Sequence, residues 1–366
     1  MNNLENLNDN NKKDNKKNGK NGKMENFKIC VIKGDGIGVE VVEETLRMLK
    51  AYEKILKSVN FEFVEAKAGL TEFMNNKDAI PKETIETAKN CDAILFGAIT
   101  SPKPTEIGEE LNKLYKSPIL TLRKELDLYA NVRPTIDYTS NIDFVIVREN
   151  TEGLYIKEEY YDEENEFAIA KRKISKKGSE RIVRFAFDYA NSNNRKKVSC
   201  IHKSNVLRVT DGLFLKTFEE IAKDEKYKNI THNDYLVDAT AMYIIKSPEM
   251  FDVMVTTNLF GDILSDEASA LGGGLGLAPS ANIGDNYALF EPVHGSAPDI
   301  AGQGIANPMA TMLCCAMMLD YLEIDSKPIK NAVKRAFLEG NTTADLGGLL
   351  NTEEVTDKII DYLTLE

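Results

Sequence analysis

The 366-residue chain has no apolar run long enough to span a bilayer, and its first residues are polar, without the apolar core of a signal peptide. A cytoplasmic location is the expectation. Cysteine is sparse and unpatterned. Cys30, Cys91, Cys200, Cys314 and Cys315 are odd in number and include no C-x-x-C, and neighbours in sequence such as Cys314 and Cys315 make poor disulfide geometry. Each lies in apolar sequence, which predicts buried thiols in a reducing compartment rather than a disulfide framework. Positive charge is in deficit: the formal net charge of −12 argues against a general binder of nucleic acid or acidic membranes. A small anionic substrate in a local cationic pocket stays compatible with that balance. No internal repeat is present.

What is there is the composition of a globular protein, 42% hydrophobic and 28% charged, long enough for one large or two ordinary domains. Residues 1–23 are almost all Asn, Lys, Asp and Gly and have nothing to bury, so they are expected to be a disordered polar tail, with the folded core beginning at Met24. From there apolar strand-like runs (28–33, 61–66, 93–96, 143–147, 198–201, 251–255) alternate with helix-like stretches such as 81–89, 178–191 and 308–322. That alternation predicts an α/β fold with a mainly parallel sheet. The first strand is followed by Gly34-Asp-Gly-Ile-Gly38, which invites a Rossmann reading. Val39 stands where the third glycine of G-x-G-x-x-G belongs, so a tight turn is the better reading. Residues 157–177, dense in charge with interspersed Tyr, Phe and Ile, read as a protruding arm or hairpin.

Chemistry concentrates in Asn258-Leu-Phe-Gly261-Asp262-Ile-Leu-Ser-Asp266. If Gly261 leads into a helix, Asp262 and Asp266 share a face, and two like charges there favour a hard cation such as Mg²⁺ or Mn²⁺. A solvated acidic helix face gives the same spacing. Arg123, Arg133 and Arg148 sit in apolar or strand-terminal sequence and have the geometry to grip carboxylates; each alone is equally a surface or ion-paired arginine. Lys203 follows a buried strand, where desolvation would make it a usable base, or where it simply snorkels. Asp238 lies at a strand-to-helix boundary, an ordinary place for an N-cap. Of the three histidines, His232 has no assigned role, His202 beside Lys203 reads as structural, and His294 sits in a loop where its ring suits an adenine face.

Together these stretches resemble the β-hydroxyacid oxidative decarboxylases, the isocitrate, isopropylmalate and homoisocitrate dehydrogenases. The resemblance runs from Lys28 to the end. It is carried by Gly34-Asp-Gly-Ile-Gly38, Leu122-Arg123 with Tyr129-Ala-Asn-Val-Arg133-Pro, Val147-Arg148-Glu-Asn-Thr-Glu-Gly-Leu-Tyr155, His202-Lys203-Ser-Asn205-Val, the aspartate stretch, and Glu291-Pro-Val-His294-Gly295-Ser296-Ala297-Pro-Asp299. It implies a two-domain, non-Rossmann α/β fold: a discontinuous large cofactor-binding domain from 24–127 plus 273–366, and a small domain from 128–272. The small domain would carry the metal and substrate residues and clasp a second subunit with its arm. The implied cofactors are NAD and Mg²⁺ or Mn²⁺. Asp262, Asp266 and the neighbouring subunit's Asp238 would hold the metal, and a homodimer or larger homo-oligomer would share its active sites. Arg123, Arg133, Arg148 and Asn205 would bind substrate, Lys203 would act in deprotonating the hydroxyl, and Tyr155 in protonating the enol carbon. Glu291, His294, Gly295, Ser296, Ala297, Asp299 and Asn307 would face the cofactor. A carboxylate at Asp299 accepts ribose hydroxyls and repels a 2′-phosphate, which selects NAD over NADP.

The substrate is argued from the segment ahead of Arg123. Where isopropylmalate enzymes often carry a glutamate, this chain has Lys116, then Ser117, with apolar Ile119 and Leu120. A cation and a hydroxyl at the pocket mouth suit a distal carboxylate, because a buried carboxylate without a partner is costly. The loop Ala98-Ile-Thr-Ser101-Pro102 also resembles homoisocitrate enzymes, with Ser101 reaching substrate. The expectation is homoisocitrate, or longer homologues as in coenzyme B synthesis, ahead of isopropylmalate and then isocitrate. A non-catalytic regulatory subunit would be expected to lose part of the metal set or the lysine–tyrosine pair, and this chain keeps all of them.

Overall fold

The computed structural model describes residues 24–365, which separate into two compact units. The expected polar tail, residues 1–23, lies outside the described residues. One unit takes the chain up to Asp127 and again from Gly273; the other is Leu128–Gly272.

The first unit begins with β1 (Glu25–Gly34), α1 (Ile37–Leu56), β2 (Val59–Glu65), α2 (Leu70–Asn76), α3 (Lys82–Lys89), β3 (Ala93–Ala98) and three short helices, α4 (Pro104–Ile107), α5 (Glu109–Leu114) and α6 (Pro118–Glu125). The inserted unit holds β4 (Ala130–Ile136), β5 (Asp143–Glu149), β6 (Glu159–Asp162), β7 (Phe167–Ala170), α7 (Lys176–Ser192), β8 (Lys197–His202), α8 (Thr210–Ile221), β9 (Thr231–Leu236), α9 (Val237–Lys246), β10 (Val253–Thr256) and α10 (Asn258–Ser269). The first unit then resumes with β11 (Pro279–Ile283), β12 (Ala288–Pro292), α11 (Met309–Tyr321), α12 (Lys327–Leu338) and α13 (Thr352–Leu365).

In the first unit the strand order is β2-β1-β3-β12-β11, parallel except for β11 against β12. Every residue of β3 is buried, as a parallel strand covered on both faces requires. One of those covers, α11, packs on β11 and β12 and is buried on all sides, which is why its sequence shows no polar face. It carries Cys314 and Cys315, both free and buried; Cys30 and Cys200 are likewise buried, whereas Cys91 is only half-buried, because it lies in the turn ahead of β3. The expectation of a buried thiol fails there.

Parallel strands of one sheet deliver their following loops to one edge. Gly34 at the end of β1 pairs with Ala98 at the end of β3, and Leu289 and Phe290 of β12 pair with Ile94 and Leu95. The turn after β1, the loop after β3 and the loop after β12 therefore share an edge. The chain turns tightly at Gly34–Gly36, and α1 starts at Ile37. Gly34 has φ +76°, and a Cβ on it would lie 1.9 Å from the Ala98 carbonyl oxygen, so only glycine fits.

The inserted unit has strand order β4-β5-β10-β8-β9, with β4 antiparallel to β5 and the rest parallel. α7 buries Ile182, Phe185, Ala186 and Tyr189 along one stripe and is N-capped by Ser175, whose hydroxyl accepts from Gly178 N at 3.0 Å. β6 and β7 form an isolated antiparallel hairpin within the charged 157–177 stretch, exposing Tyr160, Tyr161, Phe167 and Ile169. The glycine-rich stretch after α10 is occupied by two 3₁₀ turns, Ala270–Gly272 and Leu275–Leu277. No described helix is long and apolar enough to cross a membrane.

Candidate active site

In the inserted unit, register brings the charged side chains together. On antiparallel β4 and β5, Asn131 lies opposite Arg148, and Arg133 is two residues along the same face from Asn131. Two guanidinium groups thus project from one face as diagonal neighbours. β10 runs parallel to β5 with Thr256 beside Arg148, so the chain enters α10 directly over that arginine. The helix starts at Asn258, three residues before Gly261, because the Asn258 side chain is engaged by Arg148 as the helix begins. Gly261 is inside the helix, and its place there has a steric cause: a Cβ would lie 2.6 Å from Arg148 Cγ.

Arg148 is the most buried charged side chain of this group, 1% exposed. Its Nε and Nη2 donate to Asn258 Oδ1 at 3.0 and 2.7 Å, Nη1 donates to Asp262 Oδ1, and the guanidinium lies 5.2 Å from the Tyr155 ring centroid. The Tyr155 hydroxyl donates to the other oxygen of Asp262. Arg133 donates from Nε to Asn131 Oδ1 at 2.8 Å and from Nη1 to Ser265 Oγ at 2.7 Å and Asp266 Oδ1 at 3.0 Å. Two carboxylates one helical turn apart therefore face two guanidinium groups, a locally balanced set. Partial burial pushes the Asp266 carboxyl up, and the charge of Asp262 adds to this, against the pull of Arg133.

Lys203 and Asp238 stand at the ends of β8 and β9, which pair His202 with Leu236. Their ammonium and carboxylate are hydrogen-bonded to each other, and this bond holds the Asp238 carboxyl below its ordinary pKa. Asp238 is not the N-cap suggested by the sequence. Leu236 holds that place, and the Asp238 side chain in the first turn of α9 is drawn to Lys203 instead. Asn205 is exposed just beyond, and His202 is buried with Nε2 2.9 Å from Asp234 Oδ2. The loop is fixed by Asp211, fully buried, which accepts from Lys203 N at 2.7 Å and pairs with Arg172. Sequence reasoning passed over Asp211 and Arg172, and also Asn131, Asn258 and Ser265. Of these, Asn258 offered a signal, an amide at the start of the aspartate helix.

Arg123 belongs to the other unit. There it is 9% exposed, with Nη2 donating to Glu291 Oε1 at 3.0 Å and Nε buried without a hydrogen-bond partner among the described residues. Glu291 also accepts from Asn282 at 2.8 Å, so its carboxylate is already committed. Lys116 and Ser101 are exposed, Ser117 precedes α6, and Ile119 and Leu120 are half-buried. After β12, His294 Nδ1 contacts the Gly295 carbonyl at 3.0 Å, and its Nε2 is buried with no hydrogen-bond partner among the described residues. Burial lowers the His294 pKa and favours the neutral ring. Gly295 and Asp299 are exposed, Ser296 is buried, and Ala297 adopts a left-handed φ of +36°. Asn307 is buried and committed to structure, accepting from Met309 N at 3.0 Å and donating to Asp345 at 3.1 Å.

The sequence profile described as isocitrate/isopropylmalate dehydrogenase matches residues 28–359. The chain belongs to that family. It is 57% identical to a protein of Methanocaldococcus jannaschii named homoisocitrate dehydrogenase, covering 92% of this chain and 97% of the relative. It is 50% identical to the 3-isopropylmalate/3-methylmalate dehydrogenase of the same organism, over 91% of this chain and 97% of the relative. Among solved structures it resembles isocitrate dehydrogenase from Methylococcus capsulatus, with a TM-score of 0.85 at 40% identity, covering 92% of this chain and 99% of that one.

The family's cofactors are NAD and a divalent ion such as Mg²⁺ or Mn²⁺. The residues present fit both. Asp262 and Asp266 offer hard oxygen donors that reach solvent, 33% and 60% exposed, but among the described residues no third carboxylate, histidine or cysteine joins them. The unpartnered Nε2 of a half-buried, neutral His294 is a free hydrogen-bonding edge of the kind a purine can meet. Since Gly261 carries the stem of Arg148, Gly261→Ala is expected to destabilise the protein by about 1–3 kcal/mol through overpacking. A lowered urea midpoint checks this. Gly212→Ala in α8, with open space around it, should be neutral or slightly stabilising in the same assay.

Proposed function

We propose that the protein is an NAD-dependent homoisocitrate dehydrogenase that decarboxylates its product, acting also on longer homologues. The observation that carries the choice of substrate is the higher identity to the relative named for homoisocitrate than to its isopropylmalate/methylmalate counterpart from the same organism. The exposed ammonium of Lys116 beside half-buried Ile119 and Leu120 supports it, as the pattern suited to methylenes ending in a carboxylate.

Asp262, Asp266 and the neighbouring subunit's Asp238 would hold a divalent ion, which would supply acidification of the substrate hydroxyl and charge stabilisation during loss of carbon dioxide, while NAD would supply the hydride acceptor. The protein's own groups do the rest. Arg123, Arg133 and Arg148 grip and orient the carboxylates. Asn205, Ser101, Lys116 and Ser117 complete substrate contacts. Lys203 takes the hydroxyl proton, and Tyr155, held on Asp262, returns a proton to carbon. His294, Gly295, Ser296, Ala297, Asp299, Asn307 and Glu291 line the dinucleotide, with Asp299 selecting NAD. Arg133 and Arg148 already balance Asp266 and Asp262, so the site would take a cation together with a polycarboxylate substrate.

The working unit is a homodimer in which Lys203 and Asp238 serve the site of the neighbouring subunit. Met242 and Ile245 on α9, Ile263 on α10 and Val206 and Val209 ahead of α8 are each at least half exposed, an apolar surface suited to a second copy. The free thiols fit a reducing cytoplasm.

The direct test compares kcat/KM for homoisocitrate, 3-isopropylmalate and isocitrate with NAD⁺ or NADP⁺ and Mg²⁺. Homoisocitrate with NAD⁺ should lead, and a clear preference for isopropylmalate defeats the assignment. Lys116→Leu should narrow discrimination for the dicarboxylic arm by up to about fivefold, the worth of one exposed ion pair. Unchanged ratios remove its role. Asp238→Asn and Asp262→Asn homodimers should each be inactive, while subunits mixed and refolded together should regain partial activity; no recovery rejects shared sites.

A further inference from the structure

Thr100 has all of its hydrogen-bonding groups committed, and they connect three loops at the edge shared by β1, β3 and β12. Its N–H donates to Asp35 Oδ2 at 3.0 Å, its carbonyl accepts from the Tyr115 hydroxyl at 2.9 Å, and its Oγ1 lies 2.7 Å from Ser296 Oγ. Each partner is itself fixed. Asp35 is 4% exposed and accepts from Leu70 N and Thr71 N at 2.7 and 2.9 Å, holding the start of α2. The Tyr115 ring meets Phe73 edge-on at 5.3 Å, and burial keeps its hydroxyl protonated and donating. Ser296 is buried, and its carbonyl accepts from Ile37 N at 2.8 Å.

The residues on either side of this hub are those assigned above to different ligands. Ser101 follows Thr100, Lys116 and Ser117 follow Tyr115, and His294 to Asp299 surround Ser296. We infer that Thr100 is a positioning residue that couples the dinucleotide loop to the loops holding the distal end of the hydroxy acid. A ligand that orders one loop thereby orders the other, so that each ligand tightens the other's binding by the same factor. Loss of the Thr100 hydroxyl separates the loops and leaves the Ser296 hydroxyl buried without its partner.

This inference rests on the proposed activity, and the experiment separates the two. NADH fluorescence titrations with Mg²⁺ are run with and without saturating homoisocitrate, a pair that cannot turn over. Wild-type protein should bind NADH about fivefold or more tightly when the acid is present, and Thr100→Val should bring that factor to within about twofold of unity. Thr100→Ser, which keeps the hydroxyl, should retain the wild-type factor. Ser296→Ala removes the same bond from the other side and should abolish coupling even if Thr100→Val fails to fold; the double variant should lose no more than either single one. Wild-type protein without coupling, or Thr100→Val with wild-type coupling and only a lowered melting temperature, overturns the inference. Wild-type protein that binds neither NADH nor homoisocitrate overturns the proposed activity itself, and this inference with it.

Discussion

The inserted unit depends on how one buried charge is satisfied. Arg148 is almost wholly enclosed, and an enclosed guanidinium left unpaired would destabilise the fold by several kcal/mol. Its solution dictates the local sequence. Asn258 must present its amide oxygen to two of the guanidinium nitrogens, residue 261 must lack a side chain where the arginine stem passes, and Asp262 must follow one residue later to complete the pairing. Asp262 in turn orders Tyr155, and the helix carrying it delivers Asp266 to Arg133. The order Asn-x-x-Gly-Asp-x-x-x-Asp is thus the imprint of one arginine on the helix that crosses it, before any cofactor is considered.

Much of this was legible in the sequence, and what was not has identifiable causes. β3, β5, β8 and β10 were readable as apolar runs because they are buried on both faces. The charged arm was readable because a two-stranded hairpin has no core to fill. Failures fell where a side chain answers to a partner distant in sequence. Asp238 reads as a cap until Lys203, 35 residues earlier, takes its carboxylate. The start of α10 reads as Gly261 because nothing local shows that Asn258 is claimed by a residue 110 positions away. Arg133 and Arg148 share a strand pair, which no local pattern in the sequence announces. Their proximity is a matter of antiparallel register, whereas Arg123 is held by Glu291 in the other unit.

The same logic limits what one chain can do with its acidic pair. Two aspartates balanced by two arginines are a stable arrangement without a metal, since every charge has a partner. A divalent ion bound there would bring positive charge that the described residues of one subunit do not compensate. The compensating anions must come from substrate and from a further carboxylate. The Lys203–Asp238 pair is only partly buried and open to solvent, so breaking it costs little. Arg148 is the opposite case: its bonds are buried and multiple, and it serves as a fixed element around which exchangeable charges move.

Magnitudes also bear on how selective such an enzyme can be. Lys116 is exposed, and an exposed ion pair contributes about 1 kcal/mol or less, roughly a fivefold preference. Each methylene against Ile119 and Leu120 adds on the order of 0.8 kcal/mol if fully buried, a similar factor. Neither term alone separates hydroxy acids by orders of magnitude. Strong discrimination requires that the carboxylate be desolvated when bound, so that mispairing leaves a buried charge uncompensated, and that penalty grows only if the loops around it hold their positions. A loop network anchored on Asp35, Thr100 and Tyr115 provides that rigidity. If Lys116 receives the distal carboxylate as proposed, selectivity would depend on how firmly the loop holds it more than on the charge it carries.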